Sequence, residues 1–224
     1  MGSTSPAILL GLYLISAHLL AHLAAQPAPG AFKCSQTKAT CQGLVDYKVP
    51  NATALSVIKT RFGVENLNAL LGANNYPTST PPSRVVAANQ TIKIPFPCAC
   101  VNGTGVSDGV PVYAVKDGDG LDHIARDVFA ALVTFQQIAA ASGIPDPNVI
   151  AVGQKLNIPL PCSCEPVNGT QVVHYGHVVQ SGSTVEEIAQ RFGTTNVTLL
   201  ELNGMANASS LLAGQVLDVP LRGS

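Results

Sequence analysis

The chain has 224 residues and a formal net charge of −1, and 11% of its residues are charged, against about 25% in a typical soluble domain. A balance so near neutral excludes bulk electrostatic attraction to nucleic acid or anionic lipid. A surface so poor in charge needs another solvating device. Asn-x-Ser/Thr sequons at Asn51, Asn89, Asn102, Asn168, Asn196 and Asn207 supply one, as N-glycans, if the chain is secreted.

The N-terminus points to secretion. Ala7 to Ala25 is an apolar run broken by Ser16, His18 and His22, followed by small residues and Gln26-Pro27-Ala28-Pro29-Gly30. It reads as a signal peptide over 1–25, with the mature chain starting near Gln26. No Lys or Arg precedes the run, and its length approaches a membrane span. The histidines and the cleavable small residues favour a cleaved signal over an anchor. The segment 26–43 carries Cys34 and Cys41; Cys98, Cys100, Cys162 and Cys164 complete a set of six. An even number in an oxidising compartment implies disulfides. Neighbours in Cys-x-Cys cannot easily bond each other, so the bridges run between distant segments, with the pairing open. Cys-x-Cys is not a zinc knuckle, and no His completes a finger; neither metal nor cofactor is expected.

Three copies of one β-α-α-β unit follow, at 44–97, 112–161 and 173–221, joined by Cys-x-Cys connectors at 98–111 and 162–172 and ending in a tail at 222–224. Anchored on Val49, Val115 and Val179, the helix isoleucines Ile58, Ile124 and Ile188 each lie nine positions later. The chain is therefore expected to form three small modules rather than one large domain. In the first, Thr53 is the predicted cap, Leu55, Ile58 and Phe62 form the buried stripe, and Ile92 to Pro95 closes the unit. The second begins with a strand over Val112 to Val115. Asp119 is the expected N-cap of a helix burying Leu121, Ile124, Ala125, Val128 and Phe129. A second helix from about Thr134 buries Phe135, Ile138 and Ala139 and stops at Ser142-Gly143, before a closing strand over Leu156 to Ile158. In the third, Ser183 to Glu186 reads as a capping box before Val185, Ile188, Ala189 and Phe192. Its second helix, near Asn196 to Leu202, ends at Asn203-Gly204, and Leu217 to Pro220 closes the unit.

The opening Val-x-x-Gly-Asp-x-Leu-x-x-Ile-Ala of 115–125, the Ile-Pro-Leu-Pro-Cys-x-Cys of 158–164 and the threefold tandem layout resemble the LysM-domain receptor-like proteins of plants, over Phe32 to Leu221. The central unit is similar to that of the chitin-elicitor-binding type, and peptidoglycan-binding relatives share the layout. The resemblance implies an α+β fold of three tandem LysM modules clamped by inter-module disulfides, paired Cys34–Cys100, Cys41–Cys164 and Cys98–Cys162. It also implies non-catalytic recognition of chitin oligomers or peptidoglycan fragments in innate immunity, a LysM receptor kinase as co-receptor, and room for a homodimer on ligand. Relatives carry a glycosylphosphatidylinositol (GPI) anchor at the outer face of the plasma membrane. This sequence stops at Arg222-Gly223-Ser224 without a hydrophobic tail, so a secreted form or an anchor signal elsewhere is expected.

The residues themselves favour binding over chemistry. A glycoside hydrolase needs two carboxylates across a cleft. Asp119 has a cap role and Asp122 falls on the outer helix face. His123, His174 and His177 lack a triad pattern and read as surface or strand residues. Without any Trp, a sugar site must recognise the acetamide through tight loops and a small apolar contact. Asp117-Gly118-Asp119-Gly120 lets backbone approach a ligand. Ile144, Pro145, Asp146, Pro147, Asn148 and Ile150 form the facing loop, with Ile150 as the expected methyl contact. The acidic loops suit a neutral polymer better than an acidic one. Asn51 holds the place of Asp117 in the first unit, and Asn207 that of Asp146 in the third, so glycans there would leave only the central loops open. Two other readings are a targeting module of a secreted cell-wall hydrolase, and an adhesive secreted protein without a glycan ligand.

Overall fold

The computed structural model describes residues 32–36 and 38–221; the signal peptide expected at 1–25, the start of the N-terminal segment at 26–31 and the tail 222–224 lie outside the described residues. Strands β1 (Phe32–Lys33) and β2 (Thr40–Lys48) lead into β3 (Thr53–Ala54), α1 (Leu55–Arg61), α2 (Leu67–Ala73), β4 (Val85–Val86) and β5 (Thr91–Val101). After β6 (Thr104–Ser107), the second unit runs β7 (Val112–Ala114), α3 (Leu121–His123) with a π-helical turn (Ile124–Val128), α4 (Phe135–Ala141) and β8 (Lys155–Asn157). The third runs β9 (Val173–Val178), α5 (Val185–Phe192), α6 (Asn196–Leu202) and β10 (Val216–Leu221). The second and third units run β-α-α-β directly; in the first, the short strands β3 and β4 flank the two helices between β2 and β5.

Most of the apolar stripes read from the sequence are buried: Leu55, Ile58 and Phe62, then Leu121, Ile124, Ala125 and Phe129, then Val185, Ile188 and Ala189; Val128, Phe135 and Phe192, expected with them, are only partly buried. One polar device recurs at the end of each second helix. Asn74 donates its side-chain amide to the Leu70 and Lys93 carbonyls and accepts the Lys93 N–H; Asn203 does the same with Leu199 and Asp218. In the second unit the Ser142 hydroxyl accepts the Asn157 N–H. Each staple satisfies helix-end carbonyls or a strand-edge amide that burial would otherwise leave unpaired.

Three caps differ from expectation. Gly120, not Asp119, is the N-cap of α3 and has no side-chain bond, because Asp119 sits one residue too early and turns back to Tyr113 and Lys116. Ala54 stands at the N-cap of α1; Thr53 is held in β3 opposite Val86 and donates instead to the Asn51 carbonyl. The capping box of α5 is Thr184 with Glu187, one residue later than Ser183 with Glu186. That start places Val185 and Ile188 on the core.

The units are not separate globules. One six-stranded sheet has the order β1-β6-β5-β2-β9-β10, so strands of the first and third units share it through a parallel pairing of Leu44 with Tyr175 and Val45 with Gly176. The second unit keeps its own pair, β7 with β8, yet shares a core with the first. Edge-on contacts run Tyr47 to Phe62 (4.8 Å), Phe62 to Phe129 (5.6 Å) and Phe129 to Tyr113 (5.9 Å), geometries that suit the ring quadrupoles. The first connector is a continuation of this sheet, with β5 and β6 joined at Asn102-Gly103, both in the left-handed region (φ +50° and +83°). Gly105 is obligatory there, since a Cβ would stand 1.9 Å from the Cys162 carbonyl oxygen.

Three disulfides, Cys34–Cys100, Cys41–Cys164 and Cys98–Cys162, lock the N-terminal segment and both connectors together, the pairing that the resemblance implied. Their sequence separations are 66, 123 and 64 residues. Loops of that size correspond to about 4–5 kcal/mol each in the chain-entropy account.

Where Phe62 and Phe192 are followed by Gly63 (φ +63°) and Gly193 (φ +66°), Phe129 is followed by Ala130 at φ +52°. An alanine in that region costs about 1–2 kcal/mol, against about 0.5–1 kcal/mol of extra unfolded-state entropy for glycine. Ala130→Gly is therefore expected to stabilise the chain by about 0.5–1 kcal/mol, raising its thermal midpoint by about 1–4 °C. Calorimetry of the oxidised protein checks this, and an unchanged or lower midpoint would show that the Ala130 methyl contributes more by packing than it costs in strain.

Candidate functional site

The second unit brings its two long loops together at one end. Val115 donates its N–H to the Gln154 carbonyl (2.9 Å), and Gly153 donates to the Val115 carbonyl (2.8 Å). The loop starting at Lys116 and the loop ending at Gly153 therefore emerge side by side. Asp119 organises the first: its Oδ2 accepts the Tyr113 hydroxyl and the Lys116 N–H, both at 2.8 Å. Burial, and then the adjoining Asp119 carboxylate, push the Tyr113 phenol up to about 12, so it remains a donor. Asp119 is thus a loop brace rather than a free ligand group. Asp117 and Gly120 are exposed, and Gly118 (φ +81°) has open space where a Cβ would be.

The facing loop is built on Asp146. Its Oδ1 accepts the Asn148 N–H and side-chain amide, both at 3.0 Å, while its carbonyl accepts the Val149 N–H. This turn leaves Pro145, Asp146 and Asn148 exposed and Pro147 half-buried. Ile144 and Ile150 are half-buried and packed on the core, so Ile150 belongs partly to the core and partly to the surface. Val149 and Val152, each 69% exposed, add an apolar edge that the sequence reading did not single out. Its signal was Val-Ile-Ala-Val within an otherwise polar loop. The result is a surface on which loop backbone and apolar side chains are exposed together.

The matching loops of the other units keep the geometry and change the chemistry. Asn89 and Gly214 donate to Val49 and Val179 as Gly153 does to Val115. Asn207 Oδ1 accepts the Ser209 N–H at 3.0 Å, reproducing the Asp146 turn, and Leu211 stands where Ile150 does. Asn51 and Asn207 are both exposed. The acids on the second unit's helix are partnered: Asp122 with Arg126, and Asp127 with His123 at 2.8 Å.

Two histidines depart from the sequence reading. His174 and His177 are strand residues of β9, but they are buried and partnered rather than at the surface. His174 Nδ1 lies 2.8 Å from Asp218, and His177 Nδ1 lies 2.8 Å from Asp46.

Residues 113–159 and 177–220 match the LysM domain family. The chain carries LysM domains. Both loops described above fall within the first matched LysM stretch, and the β9–β10 unit accounts for the second. LysM domain-containing GPI-anchored protein 2 of Arabidopsis thaliana is 49% identical over 219 residues, covering 98% of this chain and 62% of that protein. The chitin elicitor-binding protein of Oryza sativa subsp. japonica is 48% identical over 197 residues, 87% of this chain and 55% of that protein. The chain thus spans less than two thirds of the length of either LysM relative. The solved ectodomain of a receptor like kinase superposes with a TM-score of 0.67 at 23% identity, over 84% of this chain and 94% of that one, a likeness of fold. Among the described residues no helix is long and apolar enough to cross a membrane.

Proposed function

We propose that this chain is the ligand-binding region of a plant LysM receptor-like protein that recognises N-acetylglucosamine glycans, with chitin oligomers preferred. It binds without cleaving them and acts with a LysM receptor kinase at the outer face of the plasma membrane, GPI-anchored or secreted. The observation that carries this reading is the 48% identity to the rice chitin elicitor-binding protein over 87% of the chain. The first unit is read as a third LysM module, on the strength of its repeated strand-helix-helix-strand order, its Asn74 staple and its Val49 bonds to the 89–90 turn.

The second unit is the binding module in this reading. No sequon lies between Val112 and Pro161, whereas Asn51 and Asn207 place glycans on the corresponding loops of the other two. Asp117 and Asp146 make the open loops acidic, which favours a neutral polymer over one carrying lactyl carboxylates. Titration calorimetry on secreted, oxidised protein is expected to show chitin oligomers binding more tightly than peptidoglycan fragments at low salt, with no shortened sugars released. Tighter peptidoglycan binding would reverse the ligand preference, and release of shorter sugars would restore the hydrolase reading.

A further inference from the structure

The seam between the first and third units holds a cleft of about 290 Å³, away from the loops of the second. Its floor is Asp46, one step beyond the parallel pairing of Val45 with Gly176. That carboxylate accepts the Tyr175 hydroxyl, His177 Nδ1 (2.8 Å) and the Val178 N–H (3.2 Å), so the one acid lining the cleft is buried and already bonded to three donors. Two cations stand over it. Lys93 Nζ lies 5.4 Å from the centre of the Tyr175 ring, and the Arg191 guanidinium 5.3 Å from that of Phe192. Neither forms an ion pair among the described residues. Beside Ala73 and the stapled Asn74, the rim is amide and hydroxyl: Asn75, Thr91 and Gln180, whose Nε2 donates to the Val178 carbonyl and leaves Oε1 open.

We propose that this cleft is a second ligand site, for a carboxylate-bearing sugar residue held by Lys93 and Arg191. The planar guanidinium and the mobile ammonium suit one carboxylate approached from two sides. The amides and hydroxyl suit ring hydroxyls, and the scarcity of apolar wall argues against a peptide side chain. A volume near the lower end of ligand clefts fits one pyranose ring rather than a stretch of polymer. A ligand there bridges β5 of the first unit and α5 of the third. The site thus complements the acidic loops of the second unit, which disfavour such a sugar, and it stands independently of what those loops bind.

The test uses the secreted chain with its N-glycans trimmed to single sugars, because Asn89 lies two residues from Thr91. Digalacturonate and N-acetylmuramic acid are titrated by ligand-observed NMR, with N-acetylglucosamine as the neutral control and a short aspartate peptide as the non-sugar acid. The expected result is binding of one or both sugar acids, weakening from low to physiological salt. Lys93→Ala and Arg191→Ala should each weaken it about tenfold, the loss of one charge-assisted contact. Ile150→Asp, in the loops of the second unit, should leave it intact. Digalacturonate alone would assign a uronate, and N-acetylmuramic acid alone a lactyl ether. The proposal is overturned if neither acid binds, if the neutral sugar or the aspartate peptide binds as well, or if the alanine variants bind normally.

Discussion

Ile150→Asp is expected to lower affinity for chitin oligomers by about a hundredfold, about 2.7 kcal/mol, while Leu211→Asp leaves it unchanged. Ile150 is half-buried between the core and the surface flanked by Val149 and Val152. A carboxylate there has no partner once an acetyl methyl covers it, and an unpaired charge in an apolar contact is costly. Leu211 occupies the matching place in the third unit, beside the sequon at Asn207, and is half-buried to a similar degree. The pair is therefore matched for damage to the fold and unmatched for damage to the proposed site. Val152→Asp provides a second reading, because a side chain 69% exposed can be charged without disturbing the core. It should weaken binding by a smaller factor. Calorimetry on variants with intact disulfides decides the matter; equal losses from Ile150→Asp and Leu211→Asp, or normal binding by Ile150→Asp, would place the site elsewhere.

What the sequence discloses here is what short-range physics determines. The helical stripes around Ile58, Ile124 and Ile188, the stop at Asn203-Gly204 and the open turns of the central loops all follow from residues within a few positions of one another. The α5 cap assignment fails by a single residue because Ser183 and Thr184 are equally good hydroxyl acceptors; only the register that buries Val185 and Ile188 separates them. Asn102-Gly103 and Asn168-Gly169 were legible as more than sequons. Both pairs have the positive φ of a two-residue hairpin turn, for which Asn-Gly is the strongest short signal. The seam of β2 with β9 was not legible, since Asp46 and His177 lie 131 residues apart and neither strand's pattern names its neighbour. The His177–Asp46 pair and the cationic cleft both depend on that seam.

The buried pair at the far side of the same sheet carries the other large effect: Asp218→Ala is expected to cost about 3–5 kcal/mol, the range for breaking a buried ion pair from one side. His174 and Asp218 are diagonal neighbours on β9 and β10, His174 being paired with Pro220. Nδ1 of His174 reaches both Asp218 oxygens, at 2.8 and 2.9 Å, while Nε2 donates to the Glu165 carbonyl at 2.7 Å. A carbonyl can only accept, so Nε2 carries a proton, and the carboxylate favours a second one on Nδ1. Burial alone would lower the His174 pKa, but the bond to Asp218 and its charge, helped by the Glu165 carbonyl, outweigh this and hold it above the ordinary imidazole value. A group whose pKa is raised in the folded state contributes its stability fully below its unfolded pKa and loses it as pH rises through the folded one. Denaturant unfolding should therefore show the His174 contribution complete below about pH 6.5, the ordinary imidazole pKa, and declining above it; burial also raises the Asp218 carboxyl, with the bond to His174 opposing, which adds a fall in the same direction that starts at lower pH. In Asp218→Asn that decline should shrink, since no carboxylate remains to hold the second proton. Replacing both residues by leucine should recover much of the loss, because no charge is then left buried alone. Stability that stays level from neutral to alkaline pH, or an Asp218→Ala variant as stable as the parent, would mean that the pair holds no ionic proton and that β10 is anchored by the Asn203 staple and apolar packing alone.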